Sequence, residues 1–270
     1  NKLYSAFVKC EKLQKHIRFL FEKGNFYKQH NGNLLFHSCV PMKADGTFDS
    51  LPILGKELSG KKLFDTAEYI VRESYFSPQD SPQKEYGLDF VWYLWCGKKS
   101  PLFGREKMTS FERLYLSDKE TWKEPQNPYY QYHDDASVCG TILHEFGLED
   151  PNSHIINGHV PVRLIKGESP IKANGRLIVI DGGFCKAYQP QTGIAGYTLV
   201  YNSHGMRLVA HQPFEGLEKT IENIDIHSSS DIFETVQNRV KVKDTDIGSS
   251  IADKIEDLNM LVCAYQMGML

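Results

Sequence analysis

Ile155-Ile156-Asn157-Gly158-His159-Val160-Pro161-Val162 reads as a buried strand running into a sharp turn, with a histidine at the turn. Leu177-Ile178-Val179-Ile180-Asp181-Gly182-Gly183 has the same form, an aliphatic run followed by an aspartate and a glycine pair. Glycine tolerates unusual backbone angles and lets the chain approach a ligand closely. A third run, Asn33-Leu34-Leu35-Phe36-His37-Ser38-Cys39, also ends in a histidine. In open α/β sheets ligands sit just past the carboxyl ends of strands. His37, His159 and Asp181 are therefore candidates for one rim. A lone turn histidine is more often hydrogen-bonded than ligating. The repetition of the pattern raises the metal reading, because neutral imidazole is a good ligand for Mn, Fe or Zn.

Outward from these strands, residues 2–23 carry Leu3, Phe7, Cys10, Leu13, Ile17 and Leu20 at helical spacing and stop at Gly24-Asn25. Asp45-Gly46 signals a turn into a small hairpin through Phe48, Leu51, Pro52 and Leu54. A second helix is expected from Leu58 to Ser74, broken by Pro78 and Pro82. Residues 86–103 are aromatic, which implies core and lid packing, and 117–133 read as a polar surface excursion. A third helix spans Ala136 to Phe146, with Asp134 or Asp135 as its N-cap and Gly147 as its stop. Short strands are expected at 155–157, 162–165, 177–180, 197–201 and 206–211, with Asn202-Ser203-His204-Gly205 as a hairpin turn. The tail from about 228 reads as helical, with Ile251, Ile255, Leu258 and Val262 on one face.

The composition is that of an ordinary globular protein, and 270 residues suffice for one large domain or two small ones. A formal charge of −3 argues against a nucleic-acid or membrane-surface partner. No run approaches the roughly 20 apolar residues of a membrane span. The six cysteines make no CxxC pair and read as reduced structural thiols of a cytoplasmic protein, Cys39 and Cys185 as small core residues. His204 and His211 read as turn histidines.

Several longer stretches resemble the bacterial class III fructose-1,6-bisphosphatases, within the calcineurin-like metallophosphoesterases. They are Phe36-His37-Ser38-Cys39-Val40-Pro41, Pro101-Leu102-Phe103-Gly104-Arg105-Glu106-Lys107-Met108 and Asn127-Pro128-Tyr129-Tyr130. With them go Asn157-Gly158-His159-Val160-Pro161-Val162, the Gly167–Gly175 segment, Asp181–Tyr188 and Thr192–Leu199. The resemblance implies an α/β (α+β) fold, a two-sheet sandwich flanked by helices. In it, residues 1–270 would be the C-terminal part of one metallophosphatase domain, with a lid-like insertion around 86–133. It implies hydrolysis of fructose 1,6-bisphosphate to fructose 6-phosphate at a two-metal Mn2+ centre. His37 and His159 would be metal ligands, Asp181 a supporting group behind them, and Arg105 or Lys107 the contact to substrate phosphate.

Ahead of His37 the chain carries none of the Asp-x-His, Gly-Asp-x-x-Asp-Arg and Gly-Asn-His-Asp/Glu motifs that the family has earlier in its sequence, and with them it lacks the general acid. The chain starts at Asn1 without Met, which favours an N-terminally truncated piece, inactive alone, over a degenerate relative that only binds a partner. A calcineurin-like phosphatase for phosphoproteins or nucleotides is the other enzymatic reading. The expected partner is a small sugar bisphosphate, not nucleic acid or membrane; the oligomeric state stays open.

Overall fold

The computed structural model describes residues 2–214, 216–223 and 228–269. They divide into two compact units. One comprises Asn1–Lys28, Leu34–Val160 and Ile171–Ile178; the other comprises Gln29–Asn33, Pro161–Pro170 and Val179–Leu270. The architecture is mixed α and β, as expected.

The order of elements is α1 Lys2–Lys9, α2 Glu11–Lys23, β1 Tyr27–His30, β2 Asn33–Phe36, β3 Leu51–Ile53, β4 Lys56–Leu58, α3 Gly60–Phe76 and α4 Pro82–Cys96. There follow α5 Ser110–Tyr115, α6 Tyr129–Tyr132, α7 Ala136–Glu145, β5 Ile155–Asn157, β6 Ile171–Lys172 and β7 Leu177–Val179. The chain closes with α8 Gln189–Thr192, β8 Gly196–Asn202, β9 Gly205–His211, α9 Leu217–Asn223, β10 Ser228–Thr235 and α10 Asp246–Gln266.

A mixed sheet of order β1-β2-β5-β7-β6 organises the first unit. Apart from Asn33 at the start of β2 and Asn157 at the end of β5, its middle strands are apolar, as strands covered on both faces tend to be. Leu34, Ile155, Leu177 and Ile178 are completely buried. β2 and β5 are parallel, with Leu34 opposite Ile155 and Leu35 opposite Ile156. Phe36 packs edge-on against Phe64 of α3 and against Tyr129, at ring centroid distances of 6.2 and 6.1 Å. Leu63, Ala67 and Ile70 of α3 join Phe90 and Leu94 of α4 and the β3–β4 hairpin in a second apolar cluster. Ser81 starts α4 by accepting the Lys84 amide at 3.2 Å, and Pro82 follows at the first helical position. Gly87 is needed there, because a Cβ on it would overlap the Ser74 side chain of α3. Asp135 caps α7, accepting from the Ser137 amide at 2.7 Å, whereas Asp134 accepts the Ala173 amide at 2.6 Å.

In the second unit β8 and β9 form the expected hairpin across Ser203-His204, and β10 extends it in the order β10-β9-β8. The tail is therefore not helical from 228. Residues 228–235 pair with β9, and α10 begins only at Asp246, capped by Thr245. Ser, Ile, Phe and Thr are indifferent helix formers, and the β-branched and aromatic ones fit a pleated surface.

Four further expectations are corrected. The helix at 2–23 is two helices, interrupted at Cys10 in extended backbone, and neither buries a residue. Residues 162–165 do not form a strand. Pro161 cannot donate to a ladder, and Glu168 closes a loop by accepting from the Arg163 amide and guanidinium, each at 2.9 Å, around a 3-10 turn at Leu164–Lys166. The stretch 117–133 is not all surface: Tyr129 near its end is fully buried. Cys185 is exposed, whereas Cys39 is in the core. All six cysteines are free, and no helix among the described residues is long and apolar enough to cross a membrane.

His154, at the entry to β5, is buried. That burial, with the nearby Arg176 charge, lowers its pKa below the ordinary value despite Asp150. The native state thus favours neutral His154. Its contribution to stability is full above the unfolded-state value of about 6.5 and is lost as pH falls through the lower folded value. Denaturant titrations from pH 7.5 to 5 should show His154→Gln with a flatter stability profile than the wild type; parallel profiles would contradict this.

Candidate functional site

β2 and β5 are parallel neighbours in register, so their carboxyl ends leave the sheet at one edge. His37 stands one residue past β2, and His159 two past β5. Two bonds tie the loops together. The Gly158 amide donates to the His37 carbonyl at 3.0 Å, and the Asn157 side chain donates to the Ser38 carbonyl at 3.2 Å. Asn157 is buried, and its amide also donates to the Tyr129 hydroxyl at 2.8 Å. The apolar end of β5 thus carries a polar clamp at its last residue.

The clamp brings the two imidazoles into contact. His159 Nδ1 lies 2.9 Å from His37 Nε2, with ring centroids 4.8 Å apart and planes at 75°. His159 Nε2 lies 2.9 Å from the Phe103 carbonyl, which can only accept. For a neutral ring this puts the proton on Nε2 of His159, so that its Nδ1 accepts from His37 Nε2–H. Two imidazoles held this close are donor groups of the type that divalent transition metals take. Among the described residues no group of three or more His, Cys, Asp or Glu side chains could hold a metal ion.

His159 has a φ of 70°, in the left-handed region, whereas Gly158 does not have positive φ. The sharp bend expected at Asn157-Gly158 is thus made by the histidine itself. A non-glycine residue there costs on the order of 1–3 kcal/mol. The surrounding bonds impose it, including one from the Val160 amide to the Gly158 carbonyl at 2.8 Å.

The loop that presents Phe103 is itself braced. The Asn127 amide donates to the Gly104 carbonyl at 2.9 Å, and Asn127 Oδ1 accepts from the Met42 and Tyr129 amides at 3.1 and 3.0 Å. Ser38 Oγ and the Tyr130 hydroxyl are 2.8 Å apart. Phe103, Asn127, Tyr129 and Tyr130 escaped functional reading from the sequence. Their signal was present in the Pro101–Met108 and Asn127–Tyr130 stretches, but a backbone carbonyl as ligand-orienting group leaves no side-chain trace.

Arg105 is half-buried beside Glu124, its guanidinium donating to the Glu124 carbonyl at 3.3 Å. Desolvation pushes the Glu124 carboxyl up, but hydrogen bonds from Thr109 and the charges of Arg105 and Arg113 outweigh it and hold the group below its ordinary value. Burial raises the Tyr130 hydroxyl strongly, and the Arg105 charge acts on it in the opposite sense. Lys107 is exposed and donates to the Thr121 carbonyl at 3.1 Å. In the second unit Asp181 accepts the Gly183 amide at 2.9 Å and stabilises its own turn. Cys39 is fully buried, and burial pushes its thiol up to about 12, which excludes a nucleophilic role near neutral pH.

The histidines also line a cavity of about 640 Å³ walled by α2, α3, α4 and the Leu102–Met108 loop. Its walls are mostly carbon: Phe21, Val71, Val91, Leu94, Trp95 and Phe103.

A family model described as Firmicute fructose-1,6-bisphosphatase matches residues 1–267. Proteins named fructose-1,6-bisphosphatase class 3 from Clostridium botulinum strains Hall and Langeland are each 53% identical over 271 residues, and that from Clostridium tetani is 52% identical. Each alignment covers 100% of this chain and 41% of the relative. The chain therefore spans about two-fifths of the length of these curated relatives. No solved structure matches it.

Gly104 has a φ of 63°, and a Cβ there would run into Ser38 Oγ and the Tyr130 hydroxyl. Gly104→Ala should displace the Phe103 carbonyl and destabilise the fold by about 1–3 kcal/mol. Imidazole nitrogen NMR should then show His159 losing its single Nε2–H tautomer. An unchanged tautomer would mean that another group orients the ring.

Proposed function

Since this chain belongs to the Firmicute fructose-1,6-bisphosphatase family, we propose that it forms part of a cytoplasmic, manganese-dependent enzyme that hydrolyses fructose 1,6-bisphosphate to fructose 6-phosphate and phosphate. The observation that carries this reading is the histidine pair, 2.9 Å apart, at the ends of two parallel strands. Placement of ligands at adjacent strand ends also supports assigning the β1-β2-β5-β7-β6 sheet to a calcineurin-like sandwich.

His37 Nε2 and His159 Nδ1 would hold manganese, with the remaining ligands supplied from the rest of a longer parent polypeptide. When bound, the metal would supply Lewis acidity toward a phosphoryl group. The chain's own residues do the positioning. Phe103 holds the His159 ring by its carbonyl, and the Asn157 clamp keeps the two loops at one spacing. Of the two basic candidates, Arg105 is favoured for the substrate phosphate. It directly follows Gly104, its charge reaches the Tyr130 hydroxyl beside Ser38, and its planar fork suits a phosphate. The 86–133 segment would cover the substrate.

The test is phosphate release from fructose 1,6-bisphosphate by the parent enzyme at varied Mn2+. His159→Ala should lower kcat by at least about 100-fold, a typical loss where a metal centre is damaged, with circular dichroism unchanged. Arg105→Ala should raise KM about tenfold, on the order of one charge-assisted contact, and Lys107→Ala should have little effect. A folded His159→Ala enzyme with wild-type activity would overturn the assignment.

A further inference from the structure

Three parts of Tyr129 converge on the histidine pair. Its fully buried ring packs edge-on against Phe36, the last residue of β2 and the neighbour of His37, with 6.1 Å between centroids. Its hydroxyl accepts from the side chain of Asn157, the last residue of β5, at 2.8 Å. Its amide donates to Asn127 Oδ1 at 3.0 Å. The Asn127 amide in turn holds the Gly104 carbonyl at 2.9 Å, next to the Phe103 carbonyl that meets His159. Both strand ends and the ring-orienting loop therefore share one support.

The hydroxyl contact has no substitute. Asn157 is 4% exposed, and its Oδ1 finds no hydrogen-bond partner among the described residues. The carboxamide is oriented through Nδ2 alone, which donates to the Tyr129 hydroxyl and, at 3.2 Å, to the Ser38 carbonyl. Two acceptors in different directions fix the plane of the group, whereas one leaves it free to turn. A buried N–H without an acceptor is costly. Deprived of the hydroxyl, the carboxamide would rotate and slacken its hold on Ser38, and Ser38 directly follows His37. Phenylalanine at 129 would keep the ring contact and lose only this bond, so the two roles of the side chain can be separated.

We propose that Tyr129 is a positioning residue for the histidine pair, its buried hydroxyl setting the Asn157 clamp and through it the 2.9 Å spacing of the two imidazoles. The consequence for catalysis rests on the reading above that the pair holds manganese. A cation taken by both rings needs them at one spacing, so metal affinity should answer to a hydroxyl that no ligand touches.

The test compares Tyr129→Phe, Asn157→Ala and the double variant in the intact parent protein. Imidazole nitrogen NMR is recorded on metal-free samples, and Mn2+ affinity is read from the electron paramagnetic resonance of the free ion. Tyr129→Phe should shift the His37 and His159 nitrogen resonances and weaken Mn2+ binding by about tenfold or more, the usual loss when a group behind a metal ligand is removed. Circular dichroism and, at saturating Mn2+, KM for fructose 1,6-bisphosphate should not change. The double variant should bind Mn2+ no more weakly than Asn157→Ala, because the hydroxyl acts through that side chain. Ile142→Val, in the core on α7, controls for lost stability and should leave both readouts at wild-type values. Unmoved resonances or wild-type Mn2+ affinity in Tyr129→Phe, or losses that add in the double variant, would overturn the proposal. Asn157→Ala reads the same bond from its other end: should Tyr129→Phe not fold, unmoved resonances in Asn157→Ala overturn it instead. A parent protein that binds no Mn2+, with the resonances shifted by Tyr129→Phe, would remove the functional reading and leave the positioning role standing.

Discussion

The site depends on one constraint: two parallel strands that end at the same level and are clamped there. With Leu35 opposite Ile156, the loops after β2 and β5 must emerge side by side. The Gly158 amide and the Asn157 side chain then bind the backbone of His37 and Ser38. Each such bond contributes about 0.5–1.5 kcal/mol net. Together they are of the size needed to hold His159 in its left-handed backbone. Slipping one strand by a residue would send its side chains to the opposite face and separate the imidazoles.

The second requirement is a carbonyl in the right place. Phe103 orients His159 only because Gly104 adopts a positive φ and Asn127 fastens the turn from the far side. Tyr129, buried without exposure, fills the space below and donates nothing to solvent; its hydroxyl is instead an acceptor for Asn157. A segment that reads as a polar surface excursion therefore contributes the floor of the site. Its exposed part, 115–126, is stitched to it through Glu124, which binds Thr109 at 2.9 Å and pairs with Arg105.

What the sequence made legible was the set of features encoded locally. Apolar runs ending in turn residues marked β2, β5 and β7, the pair Asp134-Asp135 marked the start of α7, and Asn202-Ser203-His204-Gly205 marked the turn of the β8–β9 hairpin. Features decided by distant partners were not legible. Serine-rich β10 is a strand because β9 offers an edge. Residues 162–165 curl because Glu168 captures Arg163. The left-handed residue at 155–162 is His159 and not glycine, because a tertiary clamp overrides intrinsic preference. The histidines themselves were visible as strand ends, whereas their pairing through the Phe103 carbonyl was not.

The central claim is that His37 and His159 bind one and the same cation. Pulsed electron paramagnetic resonance of Mn2+ bound to the parent protein tests it directly, because each coordinated imidazole contributes its own nitrogen modulation. The account predicts modulation from two directly bound imidazole nitrogens in the wild type and from one in a folded His37→Ala variant. One nitrogen in the wild type, or an identical signal after the substitution, would contradict it.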